Sequence, residues 1–396
     1  MLVTSTVTAA PTWRYIVLLA LLLGAQPIAT DLYLPALPAL KSELGNPSLT
    51  LTALLLAFGT SQLAWGPISD RFGRRPVALI GAAGYAIACL AAAFAQSMPI
   101  LVACRVLQGA AMAALIVVAR ASSRDLFSPQ EGTKILSKGL SGLGVIALVS
   151  PLVGAALAAV TPWRGSLVAM GVFGIVVFVW IAWTFTESLP AERRSTGFAV
   201  PGATKAILSN ARFRAWTYIV STSYATLFCF LLGSSFVYGI AFKLGIFGSG
   251  LVLAGNCVFY ILGTMWCRQM LATLPPYRAT ARASWFHLAG AIVTLIPALV
   301  IGPWLPAMLL GQFLFSMGHG VVQPCAQAGA VADTPQNAGR AAALSGFAMM
   351  CVAFVVGQVM SPFLGTSAWP LVVSISLGAP LLALLAHTSL RRAHVS

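Results

Sequence analysis

Twelve apolar stretches, most of them about twenty residues long, follow one another along the whole chain with little polar sequence between them. A hydrocarbon layer roughly 30 Å thick is crossed by about 20 helical residues. Within it only helices and closed barrels satisfy their own backbone polar groups. The stretches cover 15–39, 49–69, 76–95, 98–119, 134–160, 164–186, 214–238, 247–267, 283–302, 304–325, 340–363 and 367–388, with Gly302-Pro303-Trp304 as the entire turn between the ninth and tenth. Hydrophobic residues make up 59% of the 396, charged residues 8%, and the mean hydropathy is +0.91, too apolar for a water-soluble fold. The chain therefore reads as an all-α, multi-pass membrane protein. The first stretch lacks a small-residue cleavage site and continues through Asp31 to Pro38, so it is read as a spanning helix rather than a signal peptide.

A net charge of +15 suggests nucleic acid until the charges are placed. With the N-terminus inside, nineteen basic residues fall on the cytoplasmic side, and three, Lys41, Arg164 and Lys243, fall outside. That bias puts both termini in the cytoplasm, and the even span count agrees. The basicity is topological, and no nucleic-acid partner is expected. Seven cysteines sit in apolar segments without a C-x-x-C pair, which reads as packing and gives no metal site.

The long polar interruption between the sixth and seventh stretches divides the chain into a six-helix unit over 1–186, a cytoplasmic linker over 187–213, and a second six-helix unit over 214–396. Paired bundles with a midplane site between them suit alternating access. Similarity between the halves is weak: Arg268 to Arg282 occupies the place of the first half's charged hairpin but lacks its aspartate and glycines.

Of the acids, lysines and arginines, two stand away from loops and helix ends within spans, Asp31 and Arg105. Each costs about 2.5–3.5 kcal/mol to insert, so a purely structural reason for keeping them is hard to supply. At 1.5 Å per residue, Asp31 lies about 25 Å above Arg14 and Arg105 about 9 Å below Pro99, both in the outer half. The expectation is that they meet, with Asp31 as proton carrier and Arg105 as the fixed charge that tunes it; a static buried ion pair is the structural alternative. Pro35 cannot bond the Asp31 carbonyl and its ring clashes with it, which breaks the helix at the acid. A freed carbonyl at that depth belongs in a protein-lined or watery cavity, so Asp31 is expected to face the centre.

The hairpin Gly66-Pro67-Ile68-Ser69-Asp70-Arg71-Phe72-Gly73-Arg74-Arg75 resembles the loop between helices two and three of major facilitator superfamily transporters. Asp31-Leu32-Tyr33-Leu34-Pro35-Ala36-Leu37-Pro38 resembles the first helix of that superfamily's Bcr/CflA drug:proton antiporters, which export bicyclomycin, chloramphenicol and florfenicol. Gln62 to Arg71 fits the same branch, and Arg105-Val106-Leu107-Gln108-Gly109 resembles the R-x-x-Q-G motif, whose arginine is implicated in proton transfer. Gly142, Gly144, Pro151 and Gly154 resemble the antiporter motif of helix five, with Ser150 before the proline and Ala155 in place of a second glycine. Pro151 should release the carbonyl of Ala147 and make a pliable point. The resemblance covers the first half almost throughout and the second half in patches, notably Ala368 to Val373. It implies a major facilitator fold of twelve helices in two bundles. It also implies that Asp70 ties the bundles together in the cytoplasm, against Asp333 to Arg340 and Arg120 or Arg124.

Polar and aromatic residues in otherwise apolar helices are the cavity candidates: Tyr33, Gln62, Asn256, Tyr260, His319 and Gln323, with Gln312, Gln327 and Gln358 beside them. With no spanning acid besides Asp31, neutral or weakly polar compounds are favoured over dications. A primary pump is disfavoured by the missing G-x-x-x-x-G-K-[ST] loop, and a membrane enzyme by the lack of acids near His287 or His319 in sequence. The expectation is a non-enzymatic monomer of the bacterial inner membrane that needs no cofactor beyond the proton gradient and expels small amphipathic drugs. A proton-coupled metabolite exporter or importer on the same fold is the nearest alternative.

Overall fold

The computed structural model describes residues 12–127, 129–194, 203–334, 337–365 and 367–395. Among these residues twelve helices are long and apolar enough to cross a membrane. They are α1 (Trp13–Leu44), α2 (Ser48–Phe72), α3 (Arg74–Ala93), α4 (Met98–Leu126), α5 (Ile135–Val160), α6 (Arg164–Thr184), α7 (Ala211–Ala241), α8 (Gly245–Leu271), α9 (Pro276–Ile301), α10 (Leu305–Val331), α11 (Ala338–Phe363) and α12 (Trp369–Ala393). The α5 helix continues toward the cytoplasm as far as Pro129. A short helix, Ala203–Ser209, precedes α7, which begins where the Asn210 side chain accepts the Phe213 N–H at 2.9 Å.

Packing repeats between the halves. In the first, α1 lies on α5, α2 on α4, α3 on α4 and α3 on α6. In the second the same pairs recur six helices on, as α7 on α11, α8 on α10, α9 on α10 and α9 on α12. The halves meet chiefly through α2 against α11 and α5 against α8, which the same offset interchanges. The two-fold relation that residue identity hides is thus plain in the contacts. Large apolar side chains such as Trp183, Leu299 and Val300 point outward, as lipid-facing positions must.

The α1 segment is the irregular one. Its α-helix ends at Thr30, a turn follows over 31–33, and a 3₁₀ turn over Leu34–Ala36 leads into a second helix, Leu37–Leu44. The break falls at the acid, as the Pro35 argument expects. Gly154 makes room for it: a Cβ there would overlap the Leu32 carbonyl, so α5 reaches the broken segment with backbone in contact.

Candidate substrate and proton site

The outer ends of the two bundles are bonded together. Lys41 Nζ donates to the Leu364 carbonyl at 2.5 Å and lies 5.3 Å from the Phe236 ring. Asn46 and Ser48 both bond Ser361, Ser235 Oγ donates to the Leu34 carbonyl at 2.7 Å, and Gln358 Nε2 donates to Thr52 Oγ1 at 2.5 Å. Gln358, a cavity candidate by sequence, is therefore part of this seal. Deeper in, Gln62 is buried with its amide against Gly346 of α11. Any site between the halves is closed from the outside in this state.

Beneath that seal Asp31 is half-buried, and its carboxylate accepts the Thr30 hydroxyl at 2.8 Å. Tyr224 of α7 and Cys257 of α8 lie within electrostatic reach of it, and Gln26 of α1 meets the Tyr224 hydroxyl. The acid faces the opposite bundle, not lipid. Among the described residues no cation pairs with it.

Arg105 is elsewhere, which corrects both the tuning pair and the static ion pair. The fully buried guanidinium donates to the Ala29 carbonyl at 2.8 Å, to Gln108 Oε1 at 2.5 Å and to the Thr50 carbonyl at 3.4 Å, with Met170 Sδ 3.7 Å away and the Tyr33 ring 4.5 Å beneath it. Depth along the helices was a sound guide, but direction around α1 was not. Positions 29 and 31 are separated by roughly 200° on a helix of 3.6 residues per turn, so the arginine grips the back of α1 while the acid points across the interface. Tyr33, expected in the cavity, is buried under Arg105 instead. Gly109, one turn along α4, lies against the Leu54 carbonyl, where a Cβ would overlap, so this motif also sets the approach of α2.

In the second bundle, the expected cavity residue Asn256 is buried and accepts from Gln312 Nε2 at 3.1 Å and from Ser316; it packs α8 on α10 rather than awaiting a ligand. Amides of matching reach on facing helices satisfy one another. Tyr260 and His319 do come together, their rings 5.7 Å apart, with His319 Nδ1 2.7 Å from Ser223 Oγ. Gln323 follows one turn down α10, partly exposed, and Gln327 a turn further is exposed.

The helix-five motif is shared between α1 and α8. Gly144 looks toward Ile261, Gly142 toward Ala20 of α1, and the Pro151 carbonyl lies against Gly250. The Ala147 carbonyl that Pro151 frees accepts the Cys257 thiol at 3.4 Å, a bond between the bundles that nothing in the sequence pairs. Two further cysteines, Cys267 and Cys325, place their sulfurs 3.7 Å apart and all seven are free thiols.

The sequence matches the Major Facilitator Superfamily over residues 19–358. The chain belongs to that superfamily. It is 29% identical to multidrug resistance protein D of Escherichia coli over 84% of each chain. It is 32% identical to a chloramphenicol resistance protein of Pseudomonas aeruginosa over 46% of this chain and 45% of that one. The crystal structure of the human organic anion transporter MFSD10 superposes with a TM-score of 0.69 over 96% of this chain and 99% of that one, at 21% identity, a likeness of fold.

The superfamily's cytoplasmic hairpin is wired within its own bundle here. Asp70 pairs with Arg74 at 2.6 Å, and Arg74 also bonds Asp125 at 2.8 Å and Ser69 Oγ at 2.7 Å. Glu187 of the linker accepts the backbone N–H groups of Arg74 and Arg75 at 2.8 and 3.2 Å, at the N-terminus of α3, where a carboxylate is favoured. Gly73, at φ +99°, makes the turn. Arg75 reaches the Ala182 carbonyl, Arg71 covers the Phe72 ring, and Gly66 ends in open space. Of the expected tie from Asp70 to Asp333–Arg340, the described Asp333 bonds Arg212 and Asn210 inside the second bundle, while Asp70 pairs with Arg74 of its own. The buried hub is the arginine, since its fork spans two carboxylates and a hydroxyl, while the Asp70 side chain is 50% exposed. Arg74→Ala should therefore cost about 1–3 kcal/mol of stability and Asp70→Asn less than about 1 kcal/mol in thermal unfolding; the reverse order would refute this wiring.

Proposed function

We propose that this multi-pass transporter exports small amphipathic drugs, phenicol- or bicyclomycin-like, in exchange for protons across a bacterial inner membrane, as a monomer driven by the proton gradient. The observation that carries the reading is Asp31: an acid without a cationic partner among the described residues, at a helix break, facing the other bundle across the interface. The superfamily's transport role and the likeness to proteins named for multidrug and chloramphenicol resistance support drug efflux. Asp31 is the proton carrier in this reading. Ionised, it favours the state that gives it water; protonated, it tolerates closure against Tyr224 and Cys257. A ligand or proton shifts such an equilibrium only through its different affinity for the two states, and burial of the carboxylate supplies that difference. Arg105 takes a positioning role, holding the Ala29 carbonyl just ahead of the break, and Gly144 with Pro151 lets α5 rock on α8.

The direct test is a susceptibility panel in an efflux-deficient host, repeated with the proton gradient collapsed. Raised resistance that persists unchanged without the gradient would reject proton coupling, and no change in resistance to any drug would reject export. A second expectation concerns the outer seal. Lys41→Met removes a cross-bundle hydrogen bond and a cation over Phe236, together about 1–3 kcal/mol. Spin labels across the outer ends should then report a five-fold or larger rise in the open population; an unchanged distance distribution would mean that Lys41 does not hold the gate.

A further inference from the structure

Resting on the drug-export reading, we infer that Tyr260, His319 and Gln323 form a subsite in the second bundle for a neutral aromatic compound that carries a hydroxyl or amide N–H donor. Three observations converge. Gln323 Oε1 is shielded from solvent and has no hydrogen-bond partner among the described residues, whereas the amides Asn256 and Gln312 on the same two helices satisfy each other. A shielded carbonyl oxygen left unpaired has lost its water without replacement, so a donor arriving there restores what the fold leaves unmade. His319, one turn above on α10, is fixed by Ser223. Its ring lies beside that of Tyr260, a partly exposed residue whose hydroxyl bonds no described residue.

The backbone holds this trio in place. The Tyr260 carbonyl lies against Gly320, and the Met317 carbonyl against Gly263, at distances that leave no room for a Cβ on either glycine. With α8 and α10 in contact there, Tyr260 is kept beside His319. The Tyr260 ring offers an aromatic face, its hydroxyl a donor or acceptor, and Gln323 an acceptor. Tyr260 and Cys257 stand one turn apart on α8, and Cys257 lies within reach of Asp31, so the trio continues the wall that begins at the proton site. The first bundle then handles the proton while the second holds the drug's polar group.

The experiment is equilibrium binding of chloramphenicol, thiamphenicol and bicyclomycin to the purified full-length transporter, without a proton gradient. Gln323→Leu should weaken binding of the compounds the wild type holds about tenfold, the loss of one hydrogen bond. Gln323→Glu, which keeps an acceptor, should remain within about threefold. Tyr260→Phe, which keeps the ring, gives an independent reading should the leucine variant misfold, with an expected loss of about fivefold. Wild-type affinity in both Gln323→Leu and Tyr260→Phe, or in the phenylalanine variant where the leucine variant misfolds, would overturn the subsite while leaving drug export standing. A wild type that binds none of the three compounds would overturn the export reading, and the subsite with it.

Discussion

Replacing Asp31 by asparagine is expected to abolish uphill drug export driven by a pH gradient in proteoliposomes, while the variant stays folded and still equilibrates drug down its own gradient. The amide has the shape of the carboxyl, and its oxygen can still accept the Thr30 hydroxyl that now lies 2.8 Å away, so the break in α1 needs no rearrangement. What disappears is the capacity to carry a proton. Each pH unit across the membrane is worth about 1.4 kcal/mol per proton, which is tenfold accumulation of a neutral drug for each proton exchanged. Without a titrating group at the interface that energy has no route into the cycle, and the concentration ratio should collapse to one. Accumulation by the variant at the wild-type level would remove Asp31 from the coupling pathway.

The sequence made the membrane architecture legible because the bilayer imposes one requirement on every span, an apolar run of about 20 residues, and this chain meets it twelve times. The break at Asp31 and the loosened carbonyl of Ala147 were equally legible, since proline acts on a residue a fixed four positions away. What lay beyond reach was direction around a helix. Asp31 and Arg105 share a depth, yet one faces α7 and α8 while the other faces α2 and α6. Tyr33 and Asn256 were misplaced for the same reason, because hydrophobic periodicity is a poor guide where every face of a helix is apolar. Long-range partners were also hidden. Cys257 meets Ala147 from 110 positions away, and a buried cysteine reads as packing until the facing helix is known.

These placements separate two tasks that a single ion pair would have merged. The acid sits between the bundles, where the proposed cycle changes its access to water and with it its charge. The arginine sits inside one bundle, where neutral acceptors and an aromatic ring hold a full positive charge without quenching it. Neutral partners suit a fixed anchor because their strength does not vary with the protonation of the proposed carrier.

The anchor can be tested by its geometry. Arg105→Lys keeps the charge but replaces a planar fork by a point donor, and one ammonium cannot reach Ala29, Thr50 and Gln108 while lying over Tyr33. Arg105→Met removes the charge and leaves the Ala29 carbonyl and Gln108 Oε1 buried without their donor. A hydrogen bond to a charged group contributes about 1.5–3 kcal/mol, and an orphaned acceptor costs a similar amount. Both variants should therefore lower thermal stability by at least about 2 kcal/mol, with lysine the milder. Because the Ala29 carbonyl immediately precedes the break that presents Asp31, both should also raise the number of drug molecules that leak per proton moved. A structural role confined to the first bundle predicts the stability loss with tight coupling retained in the surviving protein. A wild-type melting temperature in Arg105→Met would mean that the fork at the back of α1 holds nothing in place.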